Sequence, residues 1–144
     1  MIRSFLFVPG DSERKLEKAP DAGADAIIVD LEDSVSAENR PRARELAREF
    51  IEGREDAWLR INPVDSGEAM ADLQAVMPAA PGGIVLPKAR SADDATRLAT
   101  KLDELESRFD VAAGHTRILP LCTERPRALF SLTATWARHR GWPD

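Results

Sequence analysis

No tyrosine occurs in this chain of 144 residues, and there is a single cysteine, Cys122, with only two histidines, His115 and His139. One cysteine excludes an internal disulfide framework and fits a reducing compartment. The histidines lack the spacing of a paired metal site, so neither is given a role. Long apolar runs are also missing: the N-terminal one covers only Phe5 to Val8, too short for a signal peptide or a membrane span. A cytoplasmic location is therefore expected. The balance of 20 Lys and Arg against 25 Asp and Glu, formally -5, leaves no basic footprint for nucleic acid. Arginines such as Arg40, Arg42 and Arg44, or Arg125 and Arg127, are interleaved with acids and read as solvated helix faces. A glycine-rich phosphate loop is absent as well, because Pro81-Gly82-Gly83 precedes a strand and does not open a helix. What remains, 43% apolar and 31% charged, describes a soluble globular domain with a real core and no internal linker.

Within that composition strand and helix signals alternate. Phe5 to Val8 is a strand stopped by Pro9-Gly10, and Asp11 or Ser12 can cap a helix to Ala19. Pro20 and Gly23 end it. Ala26 to Val29 is a β-branched run of the kind found in a parallel strand covered on both faces. Ser36 can cap a helix from about Ala37 to Ile51, with Pro41 tolerated in its early turns. Ala57 to Pro63 is the third strand. Asp65 with Glu68 resembles a capping box for a helix to Met77. Ile84 to Lys88, a helix from Ser91 to about Phe109, Arg117 to Cys122, and a helix from about Arg125 to Arg138 follow. Five strand–helix repeats predict a parallel sheet with right-handed crossovers. A doubly wound open sheet and a (β/α) barrel both fit; eight barrel units need about 250 residues, so this chain would hold somewhat over half of one.

Polar residues gather at the carboxyl ends of the strands, where α/β folds place their chemistry. Asp30, Glu32 and Asp33 follow the second strand, Arg60 and Asn62 the third, Lys88 the fourth, and Glu124 the fifth. Period-two alternation would put Trp58, Arg60 and Asn62 on one face. Three acids so close repel one another unless a cation or donors sit among them. Carboxylates beside a guanidinium suit a divalent cation and an anionic substrate, and so metal-assisted enolate chemistry. A structural salt bridge between Arg60 and the Asp30 cluster explains the arginine equally well, a capping role explains Glu124, and a surface position explains Lys88.

The blocks Arg3 to Gly10, Asp30-Leu31-Glu32-Asp33-Ser34-Val35, Arg60-Ile61-Asn62-Pro63, Leu86-Pro87-Lys88 and Glu124 to Leu129 appear in an order that resembles the citrate lyase β-subunit-like (CitE-like) family of the HpcH/HpaI aldolase superfamily. The resemblance implies a TIM (β/α)8-type barrel of which residues 1–144 form the first five units. It implies Mg²⁺-dependent carbon–carbon lyase activity on malyl-, citramalyl- or citryl-CoA, and a homo-oligomer, trimer or hexamer. On this likeness Arg60 would be catalytic, binding the carboxylate and enolate oxygen of the oxo-acid half. Glu124 would bind Mg²⁺ directly, Glu32 and Asp33 would hold its waters, and Arg14 and Lys18 would contact the CoA phosphates. The family's second metal aspartate, at the end of a sixth strand, would lie beyond Asp144. Three other readings stay open: a pyruvate-type class II aldolase acting on free acids, a truncated non-catalytic subunit, and a self-contained doubly wound binding domain.

Overall fold

The computed structural model describes residues 1–121. Five strands form one sheet: β1 (Phe5–Pro9), β2 (Ala26–Asp30), β3 (Ala57–Arg60), β4 (Gly83–Leu86) and β5 (Arg117–Pro120). All four pairings are parallel and the order is strictly β1-β2-β3-β4-β5. Between them run α1 (Glu13–Lys18), α2 (Arg40–Ile51), α3 (Ala69–Val76) and α4 (Ala92–Arg108). None of these helices is long and apolar enough to cross a membrane. A doubly wound sheet needs a reversal of strand order. None occurs here, so among the described residues the sheet has the order of a barrel wall, open at β1 and β5.

Burial gives the same answer. The large core joins Val8, Val29, Leu59, Ile84 and Leu86 to Leu16 of α1, Leu46 and Ile51 of α2, Leu73 of α3, and Leu98 and Leu102 of α4. The opposite face carries a smaller cluster of Ala26, Ile28, Trp58 and Val85, to which no helix among the described residues contributes. Alternate strand residues thus divide between a helix-covered face and an inner face. Trp58 dominates the inner face: Phe5 meets it edge-on at 5.4 Å and Arg117 stacks on it at 5.0 Å. Glycine is required beside it, since a Cβ on Gly83 would lie 2.4 Å from the indole ring.

Several local expectations need correction. Ser12 and Ser36 precede their helices but make no capping bond with their side chains, whereas Ser91 accepts from the Asp93 amide at 3.3 Å. The Asp65–Glu68 capping box does not form: Asp65 pairs with Arg90, Glu68 with Arg44, and the helix starts only at Ala69. The helix expected from Ala37 begins as a 3-10 turn, with α2 proper opening at Arg40 and Pro41 in its first turn. The expected fifth helix and Cys122 lie outside the described residues.

Candidate active site

Strand β2 ends at Asp30 because the aspartate side chain captures the backbone that follows. Its Oδ1 accepts from the Glu32 amide at 2.9 Å and its Oδ2 from the Ser34 amide at 3.2 Å and from the Ser34 hydroxyl. Such side-chain bonds to the residues just ahead turn the chain out of the ladder. Gly10, at the end of β1, lets the two strands close up here: its amide donates to the Asp30 carbonyl at 2.8 Å, and a Cβ would sit 2.8 Å from that same oxygen.

Arg60, next door on β3, donates to Asp30 through Nε and Nη2, both at 2.7 Å. This two-pronged pair fixes the guanidinium plane. Phe7 of β1 lies against that plane, 5.0 Å from ring centroid to guanidinium carbon. Burial pushes the Asp30 carboxyl up, but hydrogen bonds from Arg60, Ser34 and the Glu32 amide outweigh it and hold it below the usual carboxylate range. The same pair raises Arg60. The salt bridge considered from sequence is therefore real, and it orients the arginine without using its whole fork. The Nη1 group is 3.5 Å from Glu32 Oε2, too far for a good hydrogen bond.

Glu32 is the unusual member. It is 4% exposed, its Oε1 accepts from Lys88 Nζ, and its Oε2 is buried with no hydrogen-bond partner. Burial, reinforced by the neighbouring Asp33, raises its carboxyl above the ordinary glutamate value despite the Lys88 contact. A buried carboxylate oxygen left without a hydrogen bond is costly, and the Arg60 charge 3.5 Å away compensates it only in part. Lys88 also reaches Asp33 at 3.1 Å, and both acids raise the lysine. Its backbone sits at φ 52°, in the left-handed region, at a cost of about 1–2 kcal/mol for a residue with a Cβ. Strain of this kind is concentrated at functional rims.

The structure therefore brings Arg60, Glu32, Asp33 and Lys88 together at one end of the sheet. Arg14 and Lys18 stand apart from them, exposed on α1, where they line a hollow along β1 with Leu6, Val8 and Pro9. Glu124 lies outside the described residues, and among those described no three acidic, histidine or cysteine side chains form a metal cluster. Asn62 does not share a face with Arg60. The ladder ends at Arg60, and Asn62 turns to the helix side, bonding Asp72 of α3. Phe7 and Asp72 were not legible as site neighbours, since nothing in their local sequence marks the residues they meet.

The profile of the HpcH/HpaI aldolase/citrate lyase family matches residues 3–124. A (3S)-malyl-CoA thioesterase of Cereibacter sphaeroides is 38% identical over 108 residues, covering 72% of this chain and 38% of its own length. Human mitochondrial citramalyl-CoA lyase is 32% identical over 105 residues, 69% of this chain and 31% of the relative. The chain thus spans well under half the length of these two relatives. Among solved structures, the citrate lyase beta subunit of Mycobacterium tuberculosis, complexed with oxaloacetate and magnesium, superposes with a TM-score of 0.64 at 28% identity, over 88% of this chain and 61% of that one. With its parallel wall, its rim and a family match over most of its length, the chain belongs to the HpcH/HpaI aldolase/citrate lyase family.

Proposed function

We propose that this chain is the N-terminal part of a (β/α)8 barrel, and that the complete protein is a Mg²⁺-dependent carbon–carbon lyase acting on 3-hydroxy-acyl-CoA thioesters of the malyl, citramalyl or citryl type. The observation that carries this reading is the pairing at the rim of an arginine locked in plane by Asp30 with Glu32, whose buried Oε2 has no donor. Cleavage breaks the bond between C2 and C3 of the acyl group. Its electron pair moves to the carbon beside the thioester carbonyl, giving an enolate, while the C3 hydroxyl loses its proton and becomes the carbonyl of the released oxo acid; uptake of one proton at the enolate carbon then completes the acyl-CoA product.

Arg60 would hold the carboxylate of the oxo-acid half through its remaining Nη1 donor, in a plane fixed by Asp30 and Phe7. Holding that carboxylate aligns the bond to be broken and keeps its negative charge balanced as more develops beside it. The donor set fits a hard divalent cation: the orphaned oxygen of Glu32 and the exposed carboxylate of Asp33 would hold its waters, and Glu124 would bind it directly. Such an ion, once bound, supplies a Lewis acid for the substrate oxygens. Arg14 and Lys18 would attract the CoA phosphates, as cations flanking a hollow beside the rim. A homo-oligomer, trimer or hexamer, in the cytoplasm is part of the same proposal, and mass in solution tests the assembly.

A second reading, thioester hydrolysis, is favoured by the name of the malyl-CoA thioesterase relative. Product analysis separates the candidates. Full-length protein given malyl-CoA and Mg²⁺ should release acetyl-CoA and glyoxylate. Malate and free CoA would establish hydrolysis instead. Inertness towards thioesters, with cleavage of a free 4-hydroxy-2-oxo acid, would establish the pyruvate-type aldolase.

A further inference from the structure

The rim peptide is gripped from behind. The carbonyl of Leu31, between Asp30 and Glu32, accepts from Asn62 Nδ2 at 3.0 Å. The backbone N–H and Nδ2 of Asn62 both donate to Asp72 Oδ2 at 2.8 Å. The other oxygen of Asp72, Oδ1, accepts from Arg44 Nε of α2 at 2.8 Å, and Arg44 reaches onward to the half-exposed Glu68. Asn62 is 2% exposed and Asp72 fully buried, so water has little access to replace any link.

A carboxylate in this position is not explained by packing. Helices α2 and α3 already meet through apolar residues of the core, and a buried ion pair is often matched or bettered by hydrophobic residues of similar size. What an apolar pair could not do is orient an amide onto a particular carbonyl. The chain of bonds ends on the one peptide whose orientation sets where Glu32 leaves the backbone. From the other side, Leu31 N–H donates to the Arg60 carbonyl at 3.0 Å, and the Glu32 amide to Asp30. The peptide is thus clamped on both its polar groups.

We propose that Arg44, Asp72 and Asn62 form a positioning relay that holds the Leu31–Glu32 peptide, and with it the Glu32 carboxylate, at the rim. The consequence for metal binding rests on the function proposed above; the clamping of the peptide does not. These are positioning residues, since none of the three touches the reacting groups.

The test uses full-length protein carrying Asp72→Asn or Asn62→Ala, with Glu68→Gln as a control on the exposed end of the relay. In the metal-free protein, hydrogen exchange at the Glu32 amide should accelerate in both relay variants while Ile28 in β2 stays protected. Calorimetric Mg²⁺ affinity should fall about tenfold, the low end of what outer-shell partners contribute, and the control should stay within about twofold of the parent on both readouts. A lowered melting temperature with Glu32 exchange and Mg²⁺ affinity unchanged would overturn the relay and leave only a tie between helices. Should Asp72→Asn fail to fold, Asn62→Ala still removes the final link and decides the matter. Faster Glu32 exchange in the relay variants, in a protein whose parent form binds no Mg²⁺, would support the relay and count against the proposed function.

Discussion

Replacing Asp30 by asparagine changes one atom of the side chain and should remove much of the order at the rim. Asp30 receives donors only: the Glu32 amide and Arg60 Nε at Oδ1, and Arg60 Nη2, the Ser34 amide and the Ser34 hydroxyl at Oδ2. Whichever way the amide is turned, its NH₂ faces N–H groups. A buried donor left without an acceptor costs about 1–3 kcal/mol, and breaking a buried pair from one side about 3–5 kcal/mol. Arg60 stays 14% exposed and near Glu32, so the upper figure is discounted, and a loss of about 3 kcal/mol is expected. Urea denaturation of Asp30→Asn against the parent measures it. Asp25→Asn serves as the comparison: Asp25 also pairs with an arginine, Arg3, which holds its carboxyl down to about 2, but the pair is exposed and should contribute little. The folded-state value of Asp30 lies below its unfolded one. Its stabilisation is therefore present above about pH 4, the ordinary carboxylate value, and is lost on further acidification. The gap between parent and variant should close below that pH. A loss under about 1 kcal/mol at neutral pH, or a gap unchanged in acid, would refute this account of the rim.

Other substitutions test neighbouring parts of the site. Arg60→Lys should lower kcat/KM in the full-length protein by about 10²–10³-fold, as loss of a preorganised donor does, because an ammonium cannot bond Asp30 twice and still face the substrate. Lys88→Ala should cost about fivefold or less, since the lysine is itself one-third exposed and its ammonium is open to water; equal losses in the two variants would remove Arg60 from the centre of the proposal. Glu32→Gln should abolish most activity yet leave thermal stability unchanged or raised, because the buried charge is gone while Lys88 keeps Asp33 and Arg60 keeps Asp30. The raised Glu32 carboxyl carries the opposite pH sign to Asp30: acidification through its folded-state value relieves the burial, so the stability difference between Glu32→Gln and the parent should shrink there. A Gln variant that melts well below the parent at neutral pH would show Glu32 to be structural.

Much of the wall was legible from local sequence. The runs at Phe5, Ala26, Ala57, Ile84 and Arg117 all became strands; the three central ones, β2, β3 and β4, are buried almost throughout, and strands buried on both faces write their position as unbroken apolar stretches. Their ends were less legible. The apolar run Ala26 to Val29 marks its strand, but what ends it is the Asp30 side chain turning the chain, a competition that propensity does not register. Trp58, Arg60 and Asn62 were placed on one face by a period of two that holds only while the ladder continues, and it stops at Arg60. Asp65 and Glu68 had the spacing of a capping box, yet Arg90 and Arg44, distant in sequence, take both carboxylates. Motif order located the rim and Arg60's neighbours. The Glu32 oxygen without a hydrogen bond, the Phe7 contact and the Asp72 relay depend on packing between separate elements and carry no local signal.

The most direct test of the central claim is a crystal structure of the full-length protein with Mg²⁺ and an oxo acid such as oxaloacetate. Arg60 should keep its two bonds to Asp30 and donate Nη1 to the ligand carboxylate. Glu32 Oε2 should accept from a metal-bound water. A ligand bound away from Arg60, or a Glu32 oxygen still without a partner while the ion sits elsewhere, would contradict it.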